Sequence, residues 1–159
     1  VIIIDAGTTT MEMAKQLNND LSVTVITNAL NIATRVGSLP NAQVIILGGT
    51  LVRETISTQG PQAERDLSNL AVHTVFLGAN AMDATFGVTD TSTEVAHVKR
   101  VMIRAARRVV LLIDSSKWGH VAHARVLPLS DIQVLITDSN LPEEARTTFT
   151  SLGIQLMCV

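Results

Sequence analysis

Seven short apolar runs recur along the chain: VIII at 1–4, VTVI at 23–26, QVIIL at 43–47, TVFL at 74–77, VVLLI at 109–113, QVLI at 133–136 and IQLMCV at the end. None alternates apolar with polar residues, as a half-solvated strand would, so each should be covered on both faces, which is how parallel strands read. Between them lie segments with helical periodicity: MEMAKQL after the first run, ALNIATRV after the second, PQAERDLSNLA before the fourth, EVAHVKRVMIRAARR after it, and PEEARTTFTSL before the last. Strand and helix patterns interleaved in this way predict an α/β domain of three layers, a mostly parallel sheet with helices on both faces. Residues 1–159 contain no repeat or internal linker and read as one domain.

What the chain binds is bounded by its charge. A net charge of −2 and a pI near 6.1 leave no basic footprint for nucleic acid, so any DNA contact is expected from a segment outside these residues. No run approaches the roughly 18–20 apolar residues of a membrane helix, and a cytoplasmic location without membrane partners is expected. Cys158, inside IQLMCV, has no second cysteine to pair with and is expected to be a buried small hydrophobe. The start at VIIID, at full strand hydrophobicity, suggests a fragment of a longer polypeptide.

Small and polar residues gather where each strand is expected to end: Asp5, Thr27-Asn28, Gly48-Gly49, Gly78-Ala79-Asn80, Asp114-Ser115-Ser116-Lys117 and Asp138. In open parallel sheets the ligand crevice lies beyond the carboxyl ends of the strands. The first of these ends, DAGTTT, admits two readings. Gly7 followed by Thr8, Thr9 and Thr10 can present free amides and hydroxyls at the start of a helix, a seat suited to phosphate. Alternatively, Thr9 and Glu12 form a T-x-x-E capping box that binds nothing. Asp5 would oppose an anion directly and is assigned to a sugar hydroxyl or to bracing the loop. No Walker lysine follows and the glycine spacing of a dinucleotide fingerprint is missing, so neither nucleotide nor other cofactor is expected.

Two further segments carry candidates. In TDTSTEVAHVKRVMIRAARR, Thr91 and Glu94 fit a capping box, Val95, Val98, Met102 and Ala105 or Ala106 form a buried stripe, and Arg100, Arg104 and Arg107 line the opposite, solvated face. Glu94 and Lys99 flank that stripe. The carboxylate could order sugar hydroxyls and the ammonium could neutralise phosphate or hold a carbonyl oxygen. DSSKWG places Lys117 in a small-residue turn, where it is either a second cation at the mouth or a plain loop lysine, and Trp118 is expected to pack. Among the histidines only His120 and His123 are close in sequence, and with no third ligand nearby a metal site is not expected.

Taken in order, DAGTTT, VITN, IILGG, FLGANAMD, FGVTD, EVAHVKRVMI and LLIDSSKWG resemble the effector-sensing domain of the DeoR family of bacterial transcription regulators. The resemblance covers nearly the whole chain. It implies a fold like that of ribose-5-phosphate isomerase and glucosamine-6-phosphate deaminase, a phosphorylated sugar as effector, no catalysis, a homo-oligomer, and operator DNA read by an amino-terminal winged helix-turn-helix. It further implies a pocket built from Asp5, Gly7, Thr8, Thr9, Thr10, Thr27, Asn28, Gly48, Gly49, Gly78, Asn80, Asp83, Gly87, Glu94, Lys99 and Lys117. Two positions depart from the pattern: His73 stands where relatives commonly carry an aspartate, and Trp118 replaces a frequent phenylalanine. A sugar-phosphate isomerase or deaminase is the rival reading, since Asp83, Asp90 or Glu94 with Lys99 could supply a base and a cation. A domain kept only for oligomerisation is the third.

Overall fold

The computed structural model describes residues 1–159. Seven strands form one wholly parallel sheet: β1 (Ile2–Ile4), β2 (Val23–Thr27), β3 (Ala42–Ile46), β6 (Val72–Leu77), β9 (Ala106–Leu112), β11 (Val134–Thr137) and β12 (Gln155–Cys158). Their order across the sheet is β12-β11-β9-β6-β1-β2-β3, so the winding reverses between β1 and β6. Each of the seven apolar runs supplies one strand, and the expected layered α/β architecture is the one observed.

Side-chain alternation divides the core between the two faces. Ile3, Ile26, Val75, Leu77, Leu111 and Leu135 point to one face and pack under α3 (Pro61–Ser68), α4 (Thr93–Ala105) and α5 (Glu143–Ser151). Ile4, Val25 and their neighbours point the other way, under α1 (Thr8–Gln16) and α2 (Leu30–Gly37). Trp118 packs as expected, edge-on to Phe149 with ring centroids 5.4 Å apart.

Two small antiparallel additions were not expected from the sequence. The hairpin β4 (Thr50–Val52)–β5 (Ser57–Gln59) follows β3, and β7 (Ala81–Asp83), β8 (Gly87–Asp90) and β10 (Ala124–Leu127) form a three-stranded sheet. These strands are three or four residues long, too short for an alternation pattern to register. Burial is also less complete than expected at the sheet edges. Ile45 and Ile46 on β3 are 43% and 52% exposed, and Cys158 on edge strand β12 is exposed, because an edge strand has a neighbour on one side only.

Helix α4 corrects the sequence reading at both ends. Its N-cap is Ser92, whose hydroxyl accepts from the Val95 amide, and not Thr91. It stops at Ala105, so Arg107 leaves the arginine face and enters β9, where Ala106 and Arg108 already pair with Val72 and Thr74. The buried stripe keeps Val98 and Met102 and gains Ala96, Val101 and Lys99, while Val95 and Ala105 are half-buried.

Candidate functional site at the winding reversal

The carboxyl ends of β1 and β6 are adjacent, and the residues that leave them converge. Asp5 follows β1 and Gly78 follows β6, and the Gly78 amide donates to Asp5 Oδ2 at 3.2 Å. Lys99 projects from α4 between them. Its ammonium lies 2.6 Å from the Gly78 carbonyl oxygen, 3.0 Å from Asp5 Oδ2 and 2.9 Å from Asp90 Oδ2. Three acceptors at these distances match the three donors an ammonium possesses. All three charged groups are at least 97% buried. Asn80 completes the set by donating to Asp90 Oδ1 at 2.6 Å.

Burial and mutual charge act against each other on Asp5 and Lys99. Burial pushes the Asp5 carboxyl above the usual carboxylate range, and the nearby Lys99 charge only partly opposes this. For Lys99, burial alone would lower the pKa, but Asp5 and then Asp90 together outweigh it and the ammonium is held above its ordinary value. Lys99 is thus a fixed cation whose ammonium is already shared among three acceptors, inside the buried stripe of α4 and not flanking it.

Above this cluster opens a cavity of about 480 Å³. Gly7, Thr8, Thr9, Gly78, Ala79, Asn80, Lys99, Asp114 and Lys117 are among the residues that line it. The first turn of α1 faces it uncapped: Gly7 is the N-cap, no side chain accepts from the turn, and the first intrahelical bond runs from the Met11 amide to Gly7. The T-x-x-E capping box therefore does not form. Thr9 is already inside the helix, and Glu12 pairs with Lys15 at 2.6 Å. Helix starts of this kind present unpaired amides and the positive end of the helix dipole.

Lys117 is set by the turn Ser115–Lys117 that follows β9. Asp114 caps the turn, and Asp138 from the end of β11 accepts the Ser115 amide at 2.7 Å and its hydroxyl at 2.8 Å. These bonds, with one from the Asn140 amide, lower the Asp138 pKa to about 2. A carboxylate depressed in the folded state lends stability that is full above its unfolded pKa, here 3.8, and is lost as pH falls through about 2. Replacing Asp138 with asparagine should therefore flatten the acid limb of the stability curve between about pH 4 and 2, read by chemical denaturation at stepped pH.

Several residues named from the sequence stand apart from the cavity wall. Thr10 is buried and bonds back to the Gly7 carbonyl, and the Thr27 hydroxyl accepts from the Ala29 amide. Gly48 donates to Asp66, and Gly49, at φ 126°, starts the β4–β5 hairpin. Asp83 and Gly87 close the β7–β8 turn, where Asp83 accepts the Thr85 and Phe86 amides. Glu94 is exposed and held by the Ser92 and Thr93 hydroxyls, which lower its pKa. Asn28 and Asp5 line a small recess beside the main cavity.

Conversely, Asn31, Glu54, Thr55, Ile56 and Thr91 line the cavity without having been placed there from the sequence, and Asp90, named only as a base for the rival enzyme reading, lines it as well. Asp90 carries a signal, since it ends a short strand just before a helix. Glu54 to Ile56 carry none, because the hairpin that brings them over the cavity is set by tertiary contacts such as Leu30 N–H to the Ile56 carbonyl at 3.0 Å.

A larger hollow of about 600 Å³ lies between α3 and α4, but its walls are helix sides such as Arg65, His97 and Arg104, and it shares no residue with the strand-end cavity. It includes Pro61 at the start of α3 but none of the strand ends.

A parallel α/β domain with a polar cavity at its winding reversal is the architecture of a small-molecule binding domain. The chain belongs to the DeoR family of transcription regulators: the DeoR C-terminal sensor domain matches residues 1–139. It is 34% identical to the HTH-type transcriptional regulator GlpR of Haloferax volcanii, over 99% of this chain and 61% of that protein. It is 29% identical to a putative aga operon transcriptional repressor of Escherichia coli O157:H7, over 99% of this chain and 59% of that protein. It is 31% identical to the transcriptional repressor AccR of Agrobacterium fabrum, over 93% of this chain and 60% of that protein. The chain thus spans about 60% of the length of these curated relatives. No helix is long and apolar enough to cross a membrane.

Proposed function

We propose that this sensor domain binds a phosphorylated sugar or related metabolite in the strand-end cavity, and that binding changes the DNA affinity of a regulator, a repressor of sugar-metabolism genes. In this reading an amino-terminal winged helix-turn-helix reads the operator, the domain assembles as a cytoplasmic homo-oligomer, and no cofactor takes part. The observation that carries the reading is the uncapped start of α1 facing the same cavity as Lys117. Unpaired amides and a cation in one cavity suit a dianion. The neighbouring hydroxyl and amide side chains of Thr8, Thr9 and Asn80 suit a polyol.

An isomerase or deaminase needs a free base and a cation able to follow the developing charge. Here the candidate cation Lys99 is already surrounded by Asp5, Asp90 and the Gly78 carbonyl, and Glu94 is outside the cavity, which favours a sensing role. A sensing ligand acts by binding the DNA-competent and DNA-incompetent states with different affinity.

Lys117→Ala should weaken phosphosugar binding by roughly 10- to 100-fold, the worth of one or more hydrogen bonds to a charged group, with little change in melting temperature. Thr8→Val should weaken it less. Calorimetric titration against phosphorylated pentoses and hexoses reads both, and affinity unchanged in the Lys117 variant would mean the anion sits elsewhere.

A further inference from the structure

The recess beside the main cavity is small, about 20 Å³, room for one group the size of a water molecule. Ala6, Thr55 and Val95 line both spaces, so the recess opens immediately inboard of the α1 helix start. Its wall includes Asn28, which is only 4% exposed and whose Oδ1 has no partner. The orientation of that amide is fixed, because Nδ2 donates to the Thr58 carbonyl at 3.1 Å and a flipped amide would set two oxygens against each other. The free end is therefore an acceptor, and leaving it unpaired in the interior is costly.

The charge on the same wall has one sign. Asp5 lines the recess, while its counter-ion Lys99 faces the main cavity. Asp5, Asp90 and Lys99 together carry a formal charge of −1 in a buried site, and no other cation stands within salt-bridge distance of either acid. Glu54, on the loop over the main cavity, also has no ion-pair partner. A donor placed in the recess would satisfy Asn28, and a positively charged donor would also neutralise the cluster behind it.

We infer that the effector is a phosphorylated amino sugar with a free amine, its phosphate at the α1 helix start and its ammonium in the recess, on Asn28 Oδ1 and beside Asp5. The inference rests on the phosphosugar reading and narrows it. Lys99 is then a positioning residue: it holds Asp5, Asp90 and the Gly78 turn in place and does not contact the ligand.

The test compares D-glucosamine 6-phosphate, D-glucose 6-phosphate and N-acetyl-D-glucosamine 6-phosphate by calorimetric titration of the 159-residue chain. These differ at one substituent: amine, hydroxyl, and an amide that is larger and uncharged. The amine is expected to bind at least about tenfold more tightly than either of the others, the effect of one added charge-assisted contact. Val98→Ile, which adds one methyl group to the recess wall, should bring the amine-to-hydroxyl ratio close to one. Equal binding of amine and hydroxyl by the wild type, or a folded Val98→Ile protein that keeps the preference, overturns the inference while leaving the phosphosugar reading intact. If Val98→Ile does not fold, the three-ligand comparison decides alone. Binding of none of the three in the wild type overturns the inference, and a similar failure with phosphorylated pentoses and non-amino hexoses removes the phosphosugar reading too.

Discussion

Lys99→Met should destabilise the domain by about 3–5 kcal/mol, the cost of leaving buried charges without their partner. Two carboxylates, Asp5 and Asp90, would remain in the interior with only the Gly78 and Thr91 amides and the Asn80 side chain for support. The loss should depend on pH, and its sign follows from the direction in which Asp5 is shifted. A carboxyl whose folded pKa is raised gives stability that is complete below its unfolded pKa of 3.8 and is withdrawn as pH rises through the folded value. Removing Lys99 takes away the charge that opposes this rise, so the window of falling stability moves to higher pH. The variant should lie nearest to wild type in mild acid and furthest from it at neutral pH. Urea unfolding at several pH values reads the effect. A loss under about 1 kcal/mol at neutral pH would show that the cluster does not organise the site.

Gly87→Ala should cost on the order of 2–3 kcal/mol, through backbone strain and not through any ligand contact. Gly87 has φ 73°, and a Cβ there would lie 2.4 Å from the Leu127 carbonyl oxygen. That carbonyl belongs to β10, which pairs with β8 through a register irregularity, so relief would require the strands to separate. The expected signature is a lower unfolding midpoint with effector affinity unchanged at temperatures where the variant is folded. A Gly87→Ala protein of wild-type stability but weakened binding would instead make Gly87 part of the ligand surface.

That contrast shows what the sequence could and could not reveal. The inner strands of the main sheet were legible because both of their faces are buried, and uninterrupted runs such as VIII and VVLLI have few other uses in a domain this size. The site's location was legible for a related reason: polar residues directly after such runs must sit at strand ends, and Asp5, Gly78 and Lys117 do. Their partnerships were not. Lys99 falls on the margin of the apolar stripe in sequence, and only the convergence of β1, β6, β8 and α4 encloses it with Asp5 and Asp90. Glycines present a similar ambiguity, since close approach to a ligand and close approach to another strand demand the same absent side chain. At Gly49 the neighbour is the Gln59 carbonyl and at Gly87 the Leu127 carbonyl, both from the protein itself. Glu54 and Thr55 were invisible because the short hairpin that carries them has no periodic pattern of its own.

The account's central claim is the position of the anion, and a crystal structure of the domain with a bound phosphosugar tests it most directly. The phosphate is expected within hydrogen-bond distance of the main-chain nitrogens of Thr8 and Thr9 and of Lys117 Nζ. A phosphate bound elsewhere, for instance against Arg65 and Arg104 between α3 and α4, with the α1 start left to solvent, would contradict it.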